Sequence, residues 1–425
     1  MKKNTLSKLL AVGLAAVLTL TACSGGSPAG GSSKSGGPQS GGTAQLAQGV
    51  SEKEILVGHL APQSGVSAVY DLIRQGIQAY FNYTNEQGGV HGRKLKLIAY
   101  DDGYQPAKTV QLVKRLVEED KVFALLGSAC TPCNAAAQPY LTEKGTPVIM
   151  VSTGAKRFVD PPVKNYFGSS FLNYRVETKV FMDYTVNKLG KKRIAIVYQN
   201  DDFGKENLEA SHEAVKNYPG VEILGEIPFV VSDPDMSSQA QKIKQLNPEA
   251  IIMFGPPNPV ANFKKELHKY GIKDTPFIVS SIGANDLNLF KLAGSDVWAG
   301  TISSAVIPMP DAVDDPGMKL YVERFSKDFP GSSYHGFAQW GWSAAQVMVE
   351  GLKRTGPDIT YDKFFDAMHT FDNWKGSMYS GVTFAPDNHY GLTSMFITQA
   401  VDGKIIPISK TINFNPKTNE ITYEK

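Results

Sequence analysis

Cysteine is almost missing from this sequence: three residues among 425, at positions 23, 130 and 133. So few thiols give no disulfide framework, and stability must come from a hydrophobic core. Histidine is sparse as well. His59, His91, His212, His268, His335, His369 and His389 are scattered, without metal-ligand spacing and without a serine or cysteine nucleophile signature beside them. Paired acids occur at Asp101-Asp102 and Asp201-Asp202, but adjacent residues at a strand end point to opposite sides and do not share one substrate. The chain is therefore not expected to be an enzyme, nor to carry a metal or other cofactor. An excess of one charge is lacking too: the formal net charge is +2, which argues against a nucleic-acid surface. After Leu20 no apolar run is long enough to span a bilayer, so the body is expected to be soluble.

What is present begins at the N-terminus. Lys2 and Lys3 precede the apolar stretch from Leu9 to Leu20, the anatomy of a secretory signal peptide. The stretch ends in Leu20-Thr21-Ala22-Cys23, which resembles the lipobox of bacterial lipoproteins, where cleavage falls just before an acylated cysteine. Residues 1–22 are expected to be removed, leaving Cys23 as a lipidated terminus that anchors the protein at the outer side of the cell membrane. An ordinary cleavage site with an incidental cysteine is the alternative. From Ser24 to about Gly49 the chain is mostly Gly, Ser, Ala and Pro, which bury too little to offset ordering entropy. Residues 23–50 are expected to form a flexible tether.

Beyond the tether, short apolar runs alternate with amphipathic helical stretches. Ile55-Leu56-Val57, Lys94–Tyr100, Val122–Leu126 and Pro147–Val151 predict strands. Between them, Leu72, Ile73, Ile77, Tyr80 and Phe81, then Val110, Val113, Leu116 and Val117, recur at helical spacing. The same grammar restarts after Asn173, with strands at Arg193–Tyr198, Val221–Ile227, Ala250–Phe254 and Pro276–Val279. The alternation predicts βαβ units, hence an α/β fold with mainly parallel sheets covered by helices on both faces. A long helix from Tyr334 to Thr355 carries Trp340 and Trp342, whose default reading is packing between lobes.

In open α/β sheets, ligands bind beyond the carboxyl ends of the strands. Here those loops are rich in small and hydroxylated residues. They are Ser64-Gly65-Val66-Ser67 with Tyr70, Gly127-Ser128-Ala129-Cys130-Thr131, Ser152-Thr153-Gly154-Ala155, and Asn200-Asp201-Asp202-Phe203-Gly204. Small residues let backbone N–H groups approach a ligand, hydroxyls add donors, and helix N-termini favour an anion. Tyr70 and Phe203 can wall an apolar side chain, so the set suits a small carboxylate with an apolar body. Ordinary turn and N-cap duty is the competing reading of any one loop. For Cys130-Thr131-Pro132-Cys133 three readings stay open: a local disulfide, a redox pair at a helix start, or half of a metal site.

Taken in order, Gln87-Gly88-Gly89-Val90-His91-Gly92-Arg93-Lys94, Tyr100-Asp101-Asp102, Thr146-Pro147-Val148-Ile149 and Tyr198 to Lys205 resemble the type I periplasmic solute-binding proteins of ABC transporters, most closely the leucine/isoleucine/valine-binding group. The resemblance implies two doubly wound α/β lobes joined by a three-stranded hinge: residues 51–172 with 305–385, and 173–304 with 386–425. It implies capture of a small carboxylate, a branched-chain or other hydrophobic amino acid first, by a monomer that docks on an ABC permease in the membrane. The same clamp serving as a ligand sensor is an alternative. Ser128, Thr131, Ser152, Thr153 and Gly154 fall where the family holds the carboxylate and ammonium, and Tyr70 and Phe203 where it places aromatic contacts. Ser281 falls where the family's amino-acid binders place an acid. Either another acid (Asp202 or Asp286) then meets the ammonium, or the ligand is an amine-free acid or an amide. Pro256-Pro257 replaces an aromatic residue of some relatives, and Gly154 lacks the hydroxyl of that position. The family's distant disulfide partner is Tyr104 here.

Overall fold

The computed structural model describes residues 45–233 and 235–424. The expected signal peptide, Cys23 and most of the tether lie outside the described residues. Residues 45–50, expected as the end of the tether, are docked. Ala47 N–H donates to Ile359 O (2.9 Å), and Gln48 Nε2 donates to the carbonyls of Val117 (3.0 Å) and Val122 (3.2 Å).

The first sheet contains β1 (Glu54–Ala61), β2 (Lys94–Asp101), β3 (Ala124–Leu126), β4 (Val148–Val151) and β5 (Tyr166–Ser169). Their order is β2-β1-β3-β4-β5, and every pairing is parallel. The second sheet opens with β6 (Arg193–Gln199), β7 (Glu222–Phe229), β8 (Ala250–Phe254), β9 (Phe277–Val279) and β10 (Ile302–Ala305), in the order β7-β6-β8-β9-β10 and again all parallel. Each five-strand set thus has one doubly wound order, with a switch point between its first and third strands. A β-hairpin of β11 (Thr383–Ala385) and β12 (Asn388–Gly391) precedes an antiparallel extension of the second sheet. That extension comprises β13 (Ser394–Val401), β14 (Lys404–Pro407), β15 (Ile412–Asn415) and β16 (Glu420–Tyr423).

The strands are short apolar runs because helices cover both faces; all five residues of β8 are buried. The Asp71–Glu86 helix buries Ile73, Ile77 and Phe81 and lies against the Phe337–Thr355 helix. The two approach closely at Gly76 and Gly341, where an added Cβ would come 2.1 Å from Ala338 O and 2.0 Å from Ile73 O. The chain passes between the sheets three times: from β5 into the Tyr174–Asp183 helix, from β10 into the Pro316–Asp328 helix, and from β12 into β13. Of the two tryptophans expected between lobes, Trp342 departs from that expectation. Trp342 packs among Tyr80, Tyr83 and Tyr321 (centroids 4.9, 6.2 and 5.3 Å away), on helices beside the first sheet. Trp340 meets Phe171 (4.6 Å) at the first crossing. Among the described residues no helix is long and apolar enough to cross a membrane.

Candidate functional site

The carboxyl edges of the two sheets face one another. Tyr104, just after β2, donates its hydroxyl to Asp201 Oδ2 after β6 (3.0 Å). Lys156 N–H, after β4, donates to Glu206 Oε1 (2.9 Å), and Asn258 Nδ2, after β8, donates to Val66 O after β1 (3.2 Å). Apposed loops after parallel strands are where this architecture places ligands.

Most of the residues singled out in the sequence lie along this seam. Thr131 Oγ1 is 2.8 Å from Thr153 Oγ1 and 3.3 Å from the Tyr174 hydroxyl, so three hydroxyls from three segments converge. Thr131 opens the Thr131–Lys144 helix, whose N-terminal dipole favours an anion. Cys130 and Cys133 are joined in a disulfide, the first of the three readings. Cys130 sits at φ 85, and its sulfur accepts from Cys133 N–H (3.2 Å) while Asn134 Nδ2 holds the Ser128 and Cys130 carbonyls (3.1 and 2.9 Å). The loop is thereby fixed.

Gly154 has no room for a side chain. A Cβ there would lie 2.1 Å from Leu172 O and 2.6 Å from the Tyr174 ring, because the first crossing lies directly on this loop. Phe203 meets Tyr174 edge-on (5.0 Å), and Tyr70 packs against Phe337 (4.8 Å) and Tyr104 (6.3 Å). Burial raises the hydroxyl pKa values of Tyr70, Tyr104 and Tyr174, so all three stay protonated donors. Burial also raises Asp201, against hydrogen bonds from Gln199, Gly204, Tyr104 and Phe203 that favour its charged form.

Four serine hydroxyls on these loops are buried without a hydrogen-bond partner: Ser67 after β1, Ser128 after β3, Ser152 after β4 and Ser280 after β9. Leaving a buried hydroxyl unpaired costs about 1–3 kcal/mol. All four serines follow the carboxyl ends of strands, where this architecture places ligands.

Ser281 takes no part in the hydrogen bonds of the Thr131 group. Its N–H donates to Glu177 Oε1 (2.8 Å), and Ser304 Oγ donates to the same oxygen (2.5 Å). Of the other acids considered for that role, Asp202 is exposed. Asp286 accepts from Asn288 N–H (2.9 Å) and Ser333 Oγ (3.3 Å). Sequence reasoning placed Ser67 in a candidate loop but missed Tyr104, Tyr174 and Glu177 as residues of the seam. Tyr104 carried one signal, standing where the family's distant bridging cysteine would be. Tyr174 and Glu177 follow the break at Asn173, whose side chain caps their helix by accepting from Arg175 and Val176 N–H. Among the described residues no group of three or more His, Cys, Asp or Glu is arranged to hold a metal ion.

Residues 54–404 match the periplasmic binding protein family. The chain is 21% identical over 355 residues to the Leu/Ile/Val-binding protein homolog 3 of Brucella melitensis, a match spanning 83% of this chain and 93% of that protein. Among solved structures, the fatty acid ABC transporter substrate-binding protein from Thermomonospora curvata has a TM-score of 0.80 at 21% identity, over 89% of this chain and 97% of that one. A branched chain amino acid ABC transporter protein from Thermus thermophilus with bound valine has a TM-score of 0.77 at 20% identity, over 86% and 97%. At such identities the structural likeness establishes the fold, and the match across residues 54–404 establishes the family. The chain belongs to the periplasmic binding protein family.

Proposed function

We propose that each sheet with its helices is one lobe of a clamp, residues 51–172 with 305–391 and 173–304 with 392–425, and that the clamp captures a small carboxylate with an apolar body. The β11-β12 hairpin lies against β5, which moves the expected boundary at residue 385. Branched-chain and other hydrophobic amino acids are its first candidates. The carrying observation is the set of unpartnered buried hydroxyls, Ser128 and Ser152 above all, beside the Thr131, Thr153 and Tyr174 cluster at a helix N-terminus. A carboxylate there gains charge-assisted hydrogen bonds worth about 1.5–3 kcal/mol each. Tyr70 and Phe203 supply the apolar walls. Closure over the solute follows from a higher affinity of the closed form. In this reading Cys23 is lipidated outside the cytoplasm, and the loaded clamp docks as a monomer on an ABC permease.

A second reading, an amine-free fatty or aromatic acid, draws support from Ser281 in place of an acid and from the Thermomonospora curvata protein, a fatty acid ABC transporter substrate-binding protein. A thermal-shift series tests both, using leucine, valine, their deaminated acids and benzoate. A true ligand at about a hundredfold above its dissociation constant stabilises by about 2.7 kcal/mol. Thr131→Val should weaken that ligand roughly ten- to a hundredfold, equivalent to about 1.5–3 kcal/mol. Unchanged affinity removes Thr131 from the site.

A further inference from the structure

Glu177 is a buried acid that no cation pairs with among the described residues. It lies on the Tyr174–Asp183 helix, three residues after Tyr174, and residues at that spacing share one helix face. Tyr174 reaches Thr131 (3.3 Å), which puts the Glu177 face beside the seam. Its carboxylate is 1% exposed, and burial raises its pKa. The groups that hold it are all neutral: Ser281 N–H and Ser304 Oγ, both on Oε1, and the Ser281 side chain. Among the described residues no lysine, arginine or histidine pairs with it or acts on it electrostatically. A buried carboxylate without a counter-cation is costly. It offers about four lone-pair positions, and three neutral donors leave room for one more.

The donors also fix its place. Ser281 lies two residues past the end of β9, and Ser304 lies near the end of β10, on the same carboxyl edge as the other site loops. Ser281 stands where the family's amino-acid binders carry their acid. In this chain Glu177, from a different element, accepts from the N–H of that residue (2.8 Å).

We propose that Glu177, oriented by Ser281 and Ser304, is the counter-charge for the ligand's ammonium, so that the clamp selects zwitterionic α-amino acids over amine-free acids. This rests on the carboxylate-capture reading above and decides between its two ligand classes. The Thr131 group takes the carboxylate, Glu177 takes the ammonium, and the apolar side chain is left to the aromatic walls.

Isothermal titration of L-leucine and of 4-methylpentanoate, its deaminated counterpart, into wild type and Glu177→Gln tests the proposal. Glutamine keeps an oxygen for Ser281 and Ser304 but removes the charge. Wild type should bind leucine at least a hundredfold more tightly than 4-methylpentanoate. Glu177→Gln should lose at least tenfold for leucine and change less than threefold for 4-methylpentanoate. A variant that binds leucine like wild type, or a wild type that prefers 4-methylpentanoate, overturns the assignment of Glu177 while leaving carboxylate capture standing. If wild type binds neither probe, capture itself fails and the assignment with it. Circular dichroism checks the fold of the variant. Should Glu177→Gln fail to fold, Glu177→Asp retracts the charge by one methylene, and the same selective loss of leucine is expected. Equal losses for both probes would overturn the proposal.

Discussion

At the scale of single residues, His59 shows how the end of β1 depends on one protonation state. The imidazole is fully buried, and burial, outweighing a backbone hydrogen bond to Leu126 O (2.9 Å), lowers its pKa from 6.5 to about 4. The folded state holds the neutral ring while the unfolded chain takes up a proton below pH 6.5. Unfolding therefore binds protons, and stability is lost as pH falls from 6.5 towards about 4. The loss should be about 2–3 kcal/mol by pH 4.5, and chemical denaturation of His59→Asn should show a correspondingly shallower dependence. An identical pH slope in the variant would show that His59 is not the group titrating. Residue by residue, the hydroxyls stood out because several loops after apolar strands carry them together, while any one loop alone reads as turn and N-cap residues. Glu177 was not legible. Its partners Ser281 and Ser304 stand 104 and 127 positions away, and no local pattern links a helix acid to serines at the ends of two later strands.

At the scale of elements, the Thr131–Lys144 helix begins on a strained residue, Cys130 at φ 85, a region that side-chain-bearing residues seldom occupy. The disulfide to Cys133 holds this start in place by restricting the unfolded chain. For so short a loop the entropic model gives about 2 kcal/mol. Reduction, or the Cys130→Ser/Cys133→Ser pair, should lower the denaturant-derived stability by about that amount and weaken carboxylate binding as the helix start loosens. Equal stability of reduced and oxidised protein would mean that the hydrogen bonds from Asn134 suffice. Strong elements were read nearly to their ends: β8 occupies the expected residues, and the first two strands were each found within a few positions. Weak ones were not. β5 contains a glycine among four residues, and β11, β12, β15 and β16 are three or four residues long, too short for a period to declare itself. The late helix starts at Phe337 rather than Tyr334 because Gly336, at φ 56, precedes it in a non-helical conformation.

At the scale of the molecule, one strand-and-helix grammar runs on either side of Asn173, and both five-strand sets share one order and turn their carboxyl edges inwards. Pairing order could not be read from the chain, because it depends on which distant strand each crossover returns to. The contacts that join the edges were invisible for the same reason; Tyr104 and Asp201 are separated by 97 positions. Everything proposed for this clamp requires that a solute lie between those edges. A crystal structure grown with L-leucine tests this directly. The ligand carboxylate should lie within about 2.7–3.2 Å of Thr131 Oγ1 and of the Ser128 or Ser152 hydroxyl, with Tyr70 and Phe203 about its side chain. Leucine bound elsewhere on the surface, with the Thr131 group untouched, would contradict the account.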